Sequence, residues 1–426
     1  MRILIASRAA DRLVLERMCA DRTAGFPRDA LLSVLRIVAE VRKGGDRALA
    51  RFTRRYDGVT LGKGALRVGP RAIRAAWKAM PLPDRAAMRT AWGNILAFHR
   101  RQVPRGYVMR TPQGRLEHTV RPLARVGIHV PAGSAPLVSS FLMCAAAARA
   151  AGVRELVLAS PPRGGRIAAP ILAGAWLAGV REAYAVGGAH GVAALVFGTE
   201  TVRRVDKVVG PGNIYTQLAK VVTQGGGLEG ASEILVVADD SASPATVAAD
   251  LLAQAEHAGE NPVVLATPSR RLVLAVLAEV NRRIRGLPRA REAAVSLSAF
   301  GTVVITRSVA EAMEIADAWA PEHLSINARG AARLAARVRN AGTVLVGPAS
   351  AVAAADYGAG PNHVLPTSGT ARYASGLGVR DFTRTMNVTE LTPGGLRRLA
   401  PALARLARME GLEGHARSVE MERGRR

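Results

Sequence analysis

The chain has 426 residues, of which 49% are hydrophobic, and it carries a formal net charge of +26 at pH 7. Its length exceeds one ordinary hydrophobic core and its apolar content excludes a disordered chain, so we expect two or more globular domains. The charge suggests a nucleic-acid binder, but almost every basic residue is an Arg scattered among Ala and Gly, so we expect no specific nucleic-acid partner.

Neither targeting signals nor cysteines assign the chain to a more specific class of protein. No apolar run is long enough for a signal peptide or a membrane-spanning helix, so we expect a cytoplasmic protein without a membrane partner. The two cysteines, Cys19 and Cys144, are too few for a disulfide framework or a thiolate metal site. Any metal ion would therefore need His, Asp, Glu or Gln ligands.

The first half of the chain predicts helices followed by short strands. After residues 1–28, the pattern from 29 to 57 predicts two helices broken at Gly44 and Gly45. Apolar runs that lead into turns then predict strands at 124–130, 155–160, 182–188 and 206–213. Helical patterns lie between them, as in a parallel sheet whose strand ends face a ligand crevice.

A second set of strands is predicted at 232–239, 261–267, 301–306 and 342–347. No GxGxxG motif follows any strand, so an ordinary dinucleotide-binding Rossmann site is not supported. Residues 377–426 are partly helical and rich in Arg. The sequence thus predicts an α/β fold of two similar, incomplete Rossmann-like domains with parallel sheets, plus small N- and C-terminal helical appendages.

Glu322 and His323 stand side by side after Pro321, in the mostly apolar stretch AWAPEHLSI. Ser308 and Glu311 match a capping box that starts a helix, and Pro321 should end this helix before a strand begins. A carboxylate and an imidazole at such a junction can be held rigidly and still reach a cleft. Such a pair alone is more often merely solvated, so a catalytic interpretation needs other polar groups nearby.

Gln254 and His257 are the first supporting pair. Ser243 and Pro244 match the N-cap and first residue of a helix, and Gly259 follows its last turn. We therefore expect Gln254 and His257 on one helix face, where two neutral donors can share a metal ion. The pair alone is a weak signal, because Gln is an unusual metal ligand.

Two further stretches place polar side chains beside glycines. The loop AAADYGAGPNHVLPTSG holds Asp356 and His363, and the C-terminal MEGLEGHARS holds Glu410 and His415. With the two histidines already named, half of the chain's 8 histidines lie in stretches with an acidic neighbour. This distribution favours a site over scattered core histidines.

Several stretches together resemble, in content and spacing, the motifs of the histidinol dehydrogenase family: VPAGSAPL, GPGN, QAEH, APEHL, DYGAGPNHVLPT and EGLEGH. The resemblance covers nearly the whole chain from about residue 30. It implies a zinc-dependent, NAD-linked four-electron oxidation of L-histidinol through the aldehyde to L-histidine, the last step of histidine biosynthesis. It also implies a homodimer whose active site takes residues from both subunits.

The resemblance also implies a role for individual residues. The zinc ligands match Gln254, His257, Asp356 and His415, the catalytic pair matches Glu322 and His323, the substrate contacts match Ser232, His363 and Glu410, and the NAD contacts fall at His129, His190 and Asn213. On this basis His323 accepts the alcohol proton as hydride leaves, and Glu322 then helps to activate water for attack on the aldehyde.

We also expect a division of the chain into an N-terminal segment, two α/β domains and a C-terminal segment. It has an N-terminal segment at 1–28, a discontinuous first α/β domain at 29–126 and 232–376, a second, cofactor-side α/β domain at 127–231, and a C-terminal helical dimer contact at 377–426.

The chain departs from the family pattern near the cofactor. His129 and His190 stand where the family has Tyr and Gln, and the segment 225–232 is altered. If these imidazoles line the NAD site, protonation below about pH 6.5 should lower the Michaelis constant for NAD. If they only pack against the strand ends, the Michaelis constant should not respond.

Two alternatives stay open from the sequence. One is a dehydrogenase of the same fold that oxidises another polar primary alcohol, which the retained Glu410 and His363 argue against. The other is a non-enzymatic polyanion-binding homologue, suggested by charge alone. The complete set of metal-ligand and catalytic residues argues against it, because a binding module has no physical need for them.

Overall fold

The computed structural model describes residues 1–22, 27–60, 65–132, 135–225, 232–257 and 261–421. The strands are β1 (Arg2–Ile5), β2 (Arg67–Val68), β3 (Tyr107–Thr111), β4 (Gly114–Pro122), β5 (Arg125–His129), β6 (Glu155–Ser160), β7 (Glu182–Ala185), β8 (Lys207–Val209), β9 (Ile234–Ala238), β10 (Val263–Thr267), β11 (Gly301–Ile305), β12 (His323–Asn327), β13 (Thr343–Val346) and β14 (Thr383–Leu391). The α-helices are α1 (Ala9–Asp21), α2 (Arg28–Phe52), α3 (Pro70–Ala79), α4 (Leu82–Arg100), α5 (Val138–Ala151), α6 (Ala169–Leu177), α7 (Gly188–Phe197), α8 (Ile214–Gln224), α9 (Pro244–Ala255), α10 (Arg270–Ile284), α11 (Ala290–Ala299), α12 (Val309–Trp319), α13 (Ala331–Ala335), α14 (Val352–Tyr357), α15 (Pro393–Met409) and α16 (Glu413–Glu420). Short π- or 3-10 helices cover Thr53–Asp57, Thr370–Arg372 and Val379–Phe382. Across these ranges, no helix has the length and apolar character needed to cross a membrane.

A six-stranded parallel sheet, in the order β1-β11-β10-β9-β12-β13, forms one half of the structure. Its central strands are continuous apolar runs because helices cover both faces. The strands predicted at 232–239, 261–267, 301–306 and 342–347 are confirmed. The N-terminal segment differs from the predicted helical appendage, because β1 pairs with β11 and extends this sheet.

A five-stranded sheet, in the order β2-β7-β6-β5-β8, forms the other half. All neighbours are parallel except β2, which pairs antiparallel with β7 at the edge. Helices α3 to α6 pack on one face, and α2, α7 and α8 pack on the other. The four strands predicted between 124 and 213 are confirmed. Helix α2 breaks at Gly45, whose φ of 50° leaves the helical region, as the sequence predicts.

A third sheet is antiparallel, in the order β14-β4-β3, and α15 and α16 follow it. The sequence did not predict it. Large apolar side chains remain exposed on this sheet, on the two helices and in the turn between them, among them Tyr107, Val108, Met109, Met386, Val388, Leu406, Met409 and Leu412. Exposed apolar residues this numerous are typical of a surface that another protein chain covers.

The division into domains stays a prediction, and the packing of the helices favours one change to it. Helices α2, α3 and α4 pack on the five-stranded sheet, and β2 pairs within it. We therefore propose that residues 29–126 belong with 127–225, and that the N-terminal segment belongs with 232–376. The altered segment is outside the described residues at 226–231, as is Gly259.

Candidate active site

In each of the two larger sheets, the order of the strands reverses beside the first of the central strands. The reversal lies between β5 and β8 in the five-stranded sheet and between β9 and β12 in the six-stranded sheet. Crevices outside the carboxyl ends of strands at such points commonly bind ligands. His129 ends β5, and Asn213 follows β8, so both lie at the carboxyl-end crevice of the five-stranded sheet. His323 and Ser232 lie instead at the amino ends of β12 and β9.

The junction that holds the catalytic candidates is formed by the end of α12. The Ser308 hydroxyl accepts the Glu311 N–H at 3.2 Å and caps the start of this helix. The capping box is incomplete, because the Glu311 carboxylate accepts from the N–H of Arg307 at 2.7 Å. The helix ends at Trp319, and Ala320 adopts a left-handed φ of 51° that turns the chain into β12.

Glu322 and His323 are both buried at this junction, with 5% and 1% of their surface exposed. Glu322 Oε2 accepts hydrogen bonds from Ser232 Oγ and from the N–H of Glu233, each at 2.8 Å. His323 Nδ1 lies 3.3 Å from the same carboxylate oxygen and 3.0 Å from the Glu233 carbonyl. Its Nε2 lies 3.1 Å from Asp356 Oδ1. The pair is therefore held by a polar network rather than solvated.

Two of the metal-ligand candidates, Gln254 and Asp356, are hydrogen-bonded to each other and to this network. The Gln254 amide donates to Asp356 Oδ2 at 3.3 Å, and its oxygen accepts from Ser232 Oγ at 2.7 Å. His257 is not on the helix face that the sequence predicts, because α9 ends at Ala255 and the chain turns.

His363 joins the network through Asp356 and through a residue that the sequence did not indicate. Its Nδ1 lies 2.5 Å from the Asp356 backbone carbonyl, and its Nε2 lies 2.9 Å from Ser140 Oγ. Ser140 lies near the start of α5 and is buried. The available signal was a serine in an otherwise Ala-rich buried helix, beside the VPAGSAPL stretch.

The carboxylates determine the protonation of the site. Burial alone would lower the pKa of His323, but Glu322 and Asp356 outweigh it and hold this pKa well above the usual range. Burial would likewise raise the pKa of Asp356, but the hydrogen bond and charge of His323 lower it. Burial lowers the pKa of His363. The arrangement therefore favours the protonated form of His323.

Glu410 and His415 lie elsewhere, exposed in the C-terminal helices α15 and α16 or at their ends. In the part of the chain that the structure describes, no three His, Cys, Asp or Glu side chains are grouped to hold a metal ion. Gln254, His257 and Asp356 are oxygen and nitrogen donors of the kinds that suit zinc. The set of Gln254, His257, Asp356 and His415 as zinc ligands stays a prediction.

Two of the three cofactor candidates are buried, and Asn213 is exposed. His129 and His190 each expose 1% of their surface. His190 Nε2 lies 3.3 Å from Asp57 Oδ2, which the sequence did not indicate, and its ring lies beside Phe52 and Tyr56. Asn213 caps α8 and accepts the Thr216 N–H at 3.1 Å.

The expected titration of His129 near neutral pH stays a prediction, and the burial of the ring argues against it. Burial is the largest influence, and it lowers the pKa of His129 to about 4. Without a bound anion, the ring therefore stays neutral between about pH 6 and 8. A direct contact of His129, His190 or Asn213 with NAD stays a prediction.

The chain is similar over most of its length to known histidinol dehydrogenases. A family model described as histidinol dehydrogenase matches residues 21–423. The histidinol dehydrogenase of Thermus thermophilus is 46% identical over 391 residues, covering 91% of this chain and 93% of the relative. That of Deinococcus radiodurans is 45% identical and covers 91% and 89%. The crystal structure of histidinol dehydrogenase from Elizabethkingia anophelis superposes with a TM-score of 0.88 at 31% identity, covering 99% of this chain and 97% of the other.

Proposed function

Because this chain belongs to the histidinol dehydrogenase family and is an oxidoreductase, we propose that it oxidises L-histidinol to L-histidine with NAD and zinc. The observation that carries the proposal is the buried network joining Glu322, His323, Asp356 and Gln254. Family membership argues against the non-enzymatic alternative. The cytoplasmic location expected from the sequence stays a prediction.

His323 is the proposed base for the alcohol step. Its Nδ1 faces the Glu233 carbonyl and Glu322, and its Nε2 faces Asp356 Oδ1 at 3.1 Å, so Nε2 can receive the hydroxyl proton only when it is not donating to Asp356. Loss of this proton and transfer of hydride to NAD convert the primary alcohol to the aldehyde. Because the two carboxylates raise the pKa of His323, the ring must first release its own proton to act as a base.

Glu322 is the proposed base for the aldehyde step. Its carboxylate can remove a proton from water as the water attacks the aldehyde carbon, which forms the hydrate. Transfer of a second hydride from this hydrate gives the acid and releases a further proton. Ser232, hydrogen-bonded to both Glu322 and Gln254, keeps the base beside the proposed substrate site.

Gln254, His257, Asp356 and a second copy's His415 are the proposed zinc ligands. Bound there, zinc would act as a Lewis acid that orients the substrate. His363, held by Ser140 and the Asp356 carbonyl, and Glu410 of the second copy are the proposed contacts to cationic histidinol. The exposed apolar side chains around Glu410, among them Leu406, Met409 and Leu412, support a homodimer with shared sites.

The direct test measures NADH formation from L-histidinol by the purified protein, before and after treatment with a chelator. We expect two NADH per histidinol, histidine as the product, and loss of activity that added zinc restores. His257→Ala, which removes one proposed ligand, should contain less zinc and lose activity. Turnover of another primary alcohol, but not of histidinol, would favour the alternative substrate class.

A further inference from the structure

Glu233 contacts both catalytic candidates through its backbone and side chain. Its N–H donates to Glu322 Oε2 at 2.8 Å, and its carboxylate accepts the Glu322 N–H at 3.1 Å. Its carbonyl lies 3.3 Å from the N–H of His323 and 3.0 Å from Nδ1 of the ring. One residue therefore fixes the backbone of the pair, the direction of the carboxylate and the orientation of the imidazole.

The Glu233 side chain is buried, with 2% of its surface exposed, and Arg22 supplies the positive charge beside it. Arg22 Nη2 donates to Glu233 Oε1 at 2.5 Å, and only 8% of the Arg22 side chain is exposed. Breaking a buried ion pair leaves an uncompensated charge, so the two side chains depend on each other. Arg22 follows α1, so the N-terminal segment reaches the proposed active site through this contact.

Arg22 also holds the chain just before the catalytic pair. Its Nε donates to the Trp319 carbonyl at 3.0 Å, and its guanidinium lies 4.4 Å from the centre of the Trp319 ring. A planar guanidinium can make both hydrogen bonds in a fixed geometry, whereas an ammonium group on a flexible stem cannot reproduce it.

These contacts surround a strained residue. Ala320 has a φ of 51°, which is uncommon for a residue with a side chain and persists only where the surroundings enforce it. Arg22 holds the carbonyl of Trp319 on one side of Ala320, and Glu233 holds the N–H of Glu322 on the other. Loss of either contact would let the backbone between them relax toward an ordinary conformation.

We propose that Arg22 and Glu233 are positioning residues that hold Ala320–Glu322 in place and thereby orient Glu322 and His323 for the oxidation. The proposal rests on the proposed function for its chemistry, but the geometry that it describes can be measured without catalysis. Neither residue is proposed to touch the substrate.

The kinetic test compares four variants, with each half-reaction started separately from histidinol or from histidinal. Arg22→Met keeps the apolar stem and removes both hydrogen bonds, while Arg22→Lys keeps the charge. Glu233→Gln removes the charge and keeps an acceptor for the Glu322 N–H. Arg339→Met is the control. Arg339 Nε lies 3.1 Å from Asp317 Oδ2, and Asp317 belongs to α12, the helix that ends at Trp319. The Arg339 side chain lies on the protein surface.

We expect kcat to fall roughly 10- to 100-fold in Arg22→Met, since a displacement of about 1 Å of reacting groups has effects of this size. The Michaelis constant for NAD should not change. The kcat values of Arg22→Lys and Glu233→Gln should lie between those of Arg22→Met and the parent. Arg339→Met should have the kcat of the parent. The proposal would be overturned if Arg22→Met had the kcat of the parent. It would also be overturned if the loss of activity equalled the loss of folded protein.

Amide hydrogen exchange separates this inference from the proposed function. In the protein without substrate, Arg22→Met should exchange at least about 10-fold faster at the amides of Ala320, Glu322 and His323, while β9 and β10 stay as protected as in the parent. Unchanged exchange at these three amides would overturn the positioning role. A parent that does not oxidise histidinol would contradict the proposed function, and the exchange experiment would still decide whether Arg22 holds the junction.

Discussion

The side-chain amide of Gln254 donates to the Asp356 carboxylate at 3.3 Å, although 102 residues separate the two in the sequence. Helix α9 supplies the amide and helix α14 supplies the carboxylate, so the contact brings together two distant parts of the six-stranded half. In the proposed assignment, His257 of the same chain and His415 of a second copy complete the zinc ligands, so one chain alone cannot form the site.

Mixing two inactive variants tests whether His415 comes from a second subunit. His257→Ala and His415→Ala should each bind little zinc and be inactive as purified dimers, because three ligands hold the metal poorly. After unfolding and joint refolding, half of the dimers should be mixed, with one site intact and the other lacking both ligands. We expect the mixture to recover about a quarter of the parent's activity and zinc content.

The control for this experiment refolds each variant by itself, which should recover neither activity nor zinc. An equimolar mixture that stays inactive, although mass spectrometry shows mixed dimers, would place His257 and His415 in the same subunit's site or outside the site.

Substitution of the catalytic pair should separate the two half-reactions. His323→Asn removes the proposed base for the alcohol and should slow histidinol oxidation roughly 10²- to 10⁴-fold. Glu322→Gln should slow histidinal oxidation more than histidinol oxidation, because Glu322 is the proposed base for water. Stopped-flow measurement of NADH formation from each substrate checks this. Small and equal effects on both substrates would contradict the two roles.

The central strands could be predicted because burial on both faces leaves continuous apolar runs, such as the ILVVA of β9. Other strands give no such signal. The short β1, RILI, mixes one buried residue with exposed ones, and β14 is exposed along almost its whole length. Only pairing with distant strands makes them part of a sheet, and a local pattern cannot show a distant partner.

The candidate site could be predicted only as far as family motifs identified its residues. Their geometry depended on where the elements end, and α9 ends two residues before His257, so that ring is not on the helix face. Arg22, Ser140 and Asp57 carry no motif, and each gains its contact from a residue more than 100 positions away. Such contacts follow from the tertiary fold alone.

Asn213 has a structural contact that can be separated from its proposed contact with NAD. Its side-chain oxygen caps α8, and Asn213→Ala should lower the free energy of unfolding by about 1 kcal/mol. Asn213→Ser keeps a capping oxygen and should preserve most of that stability. If the amide also contacts NAD, both variants should show a higher Michaelis constant for NAD. A rise in the alanine variant alone would mean that the cap, not a contact with NAD, is responsible.

His129 should make stability depend on pH between about 4 and 6.5. Burial lowers the pKa of His129 to about 4 in the folded protein, whereas a histidine in the unfolded chain has a pKa near 6.5. Between these values the unfolded chain binds a proton that the folded protein does not, so the free energy of unfolding decreases as pH falls. The difference of about 2.5 pKa units corresponds to about 3 kcal/mol, which is fully lost only below about pH 4.

Replacing the imidazole isolates this effect from the titration of carboxylates. His129→Gln keeps a hydrogen-bond donor for the Pro211 carbonyl, which lies 3.4 Å from His129 Nδ1, but has no group that titrates in this range. Urea unfolding of both proteins at several pH values from about 4.5 to 7 should show the parent losing more stability than the variant as pH falls. A constant difference between the two would mean that His129 titrates alike in the folded and unfolded states. Its ring would then be accessible to water or to a counter-charge, which would again allow it to act as a charged contact to NAD near neutral pH.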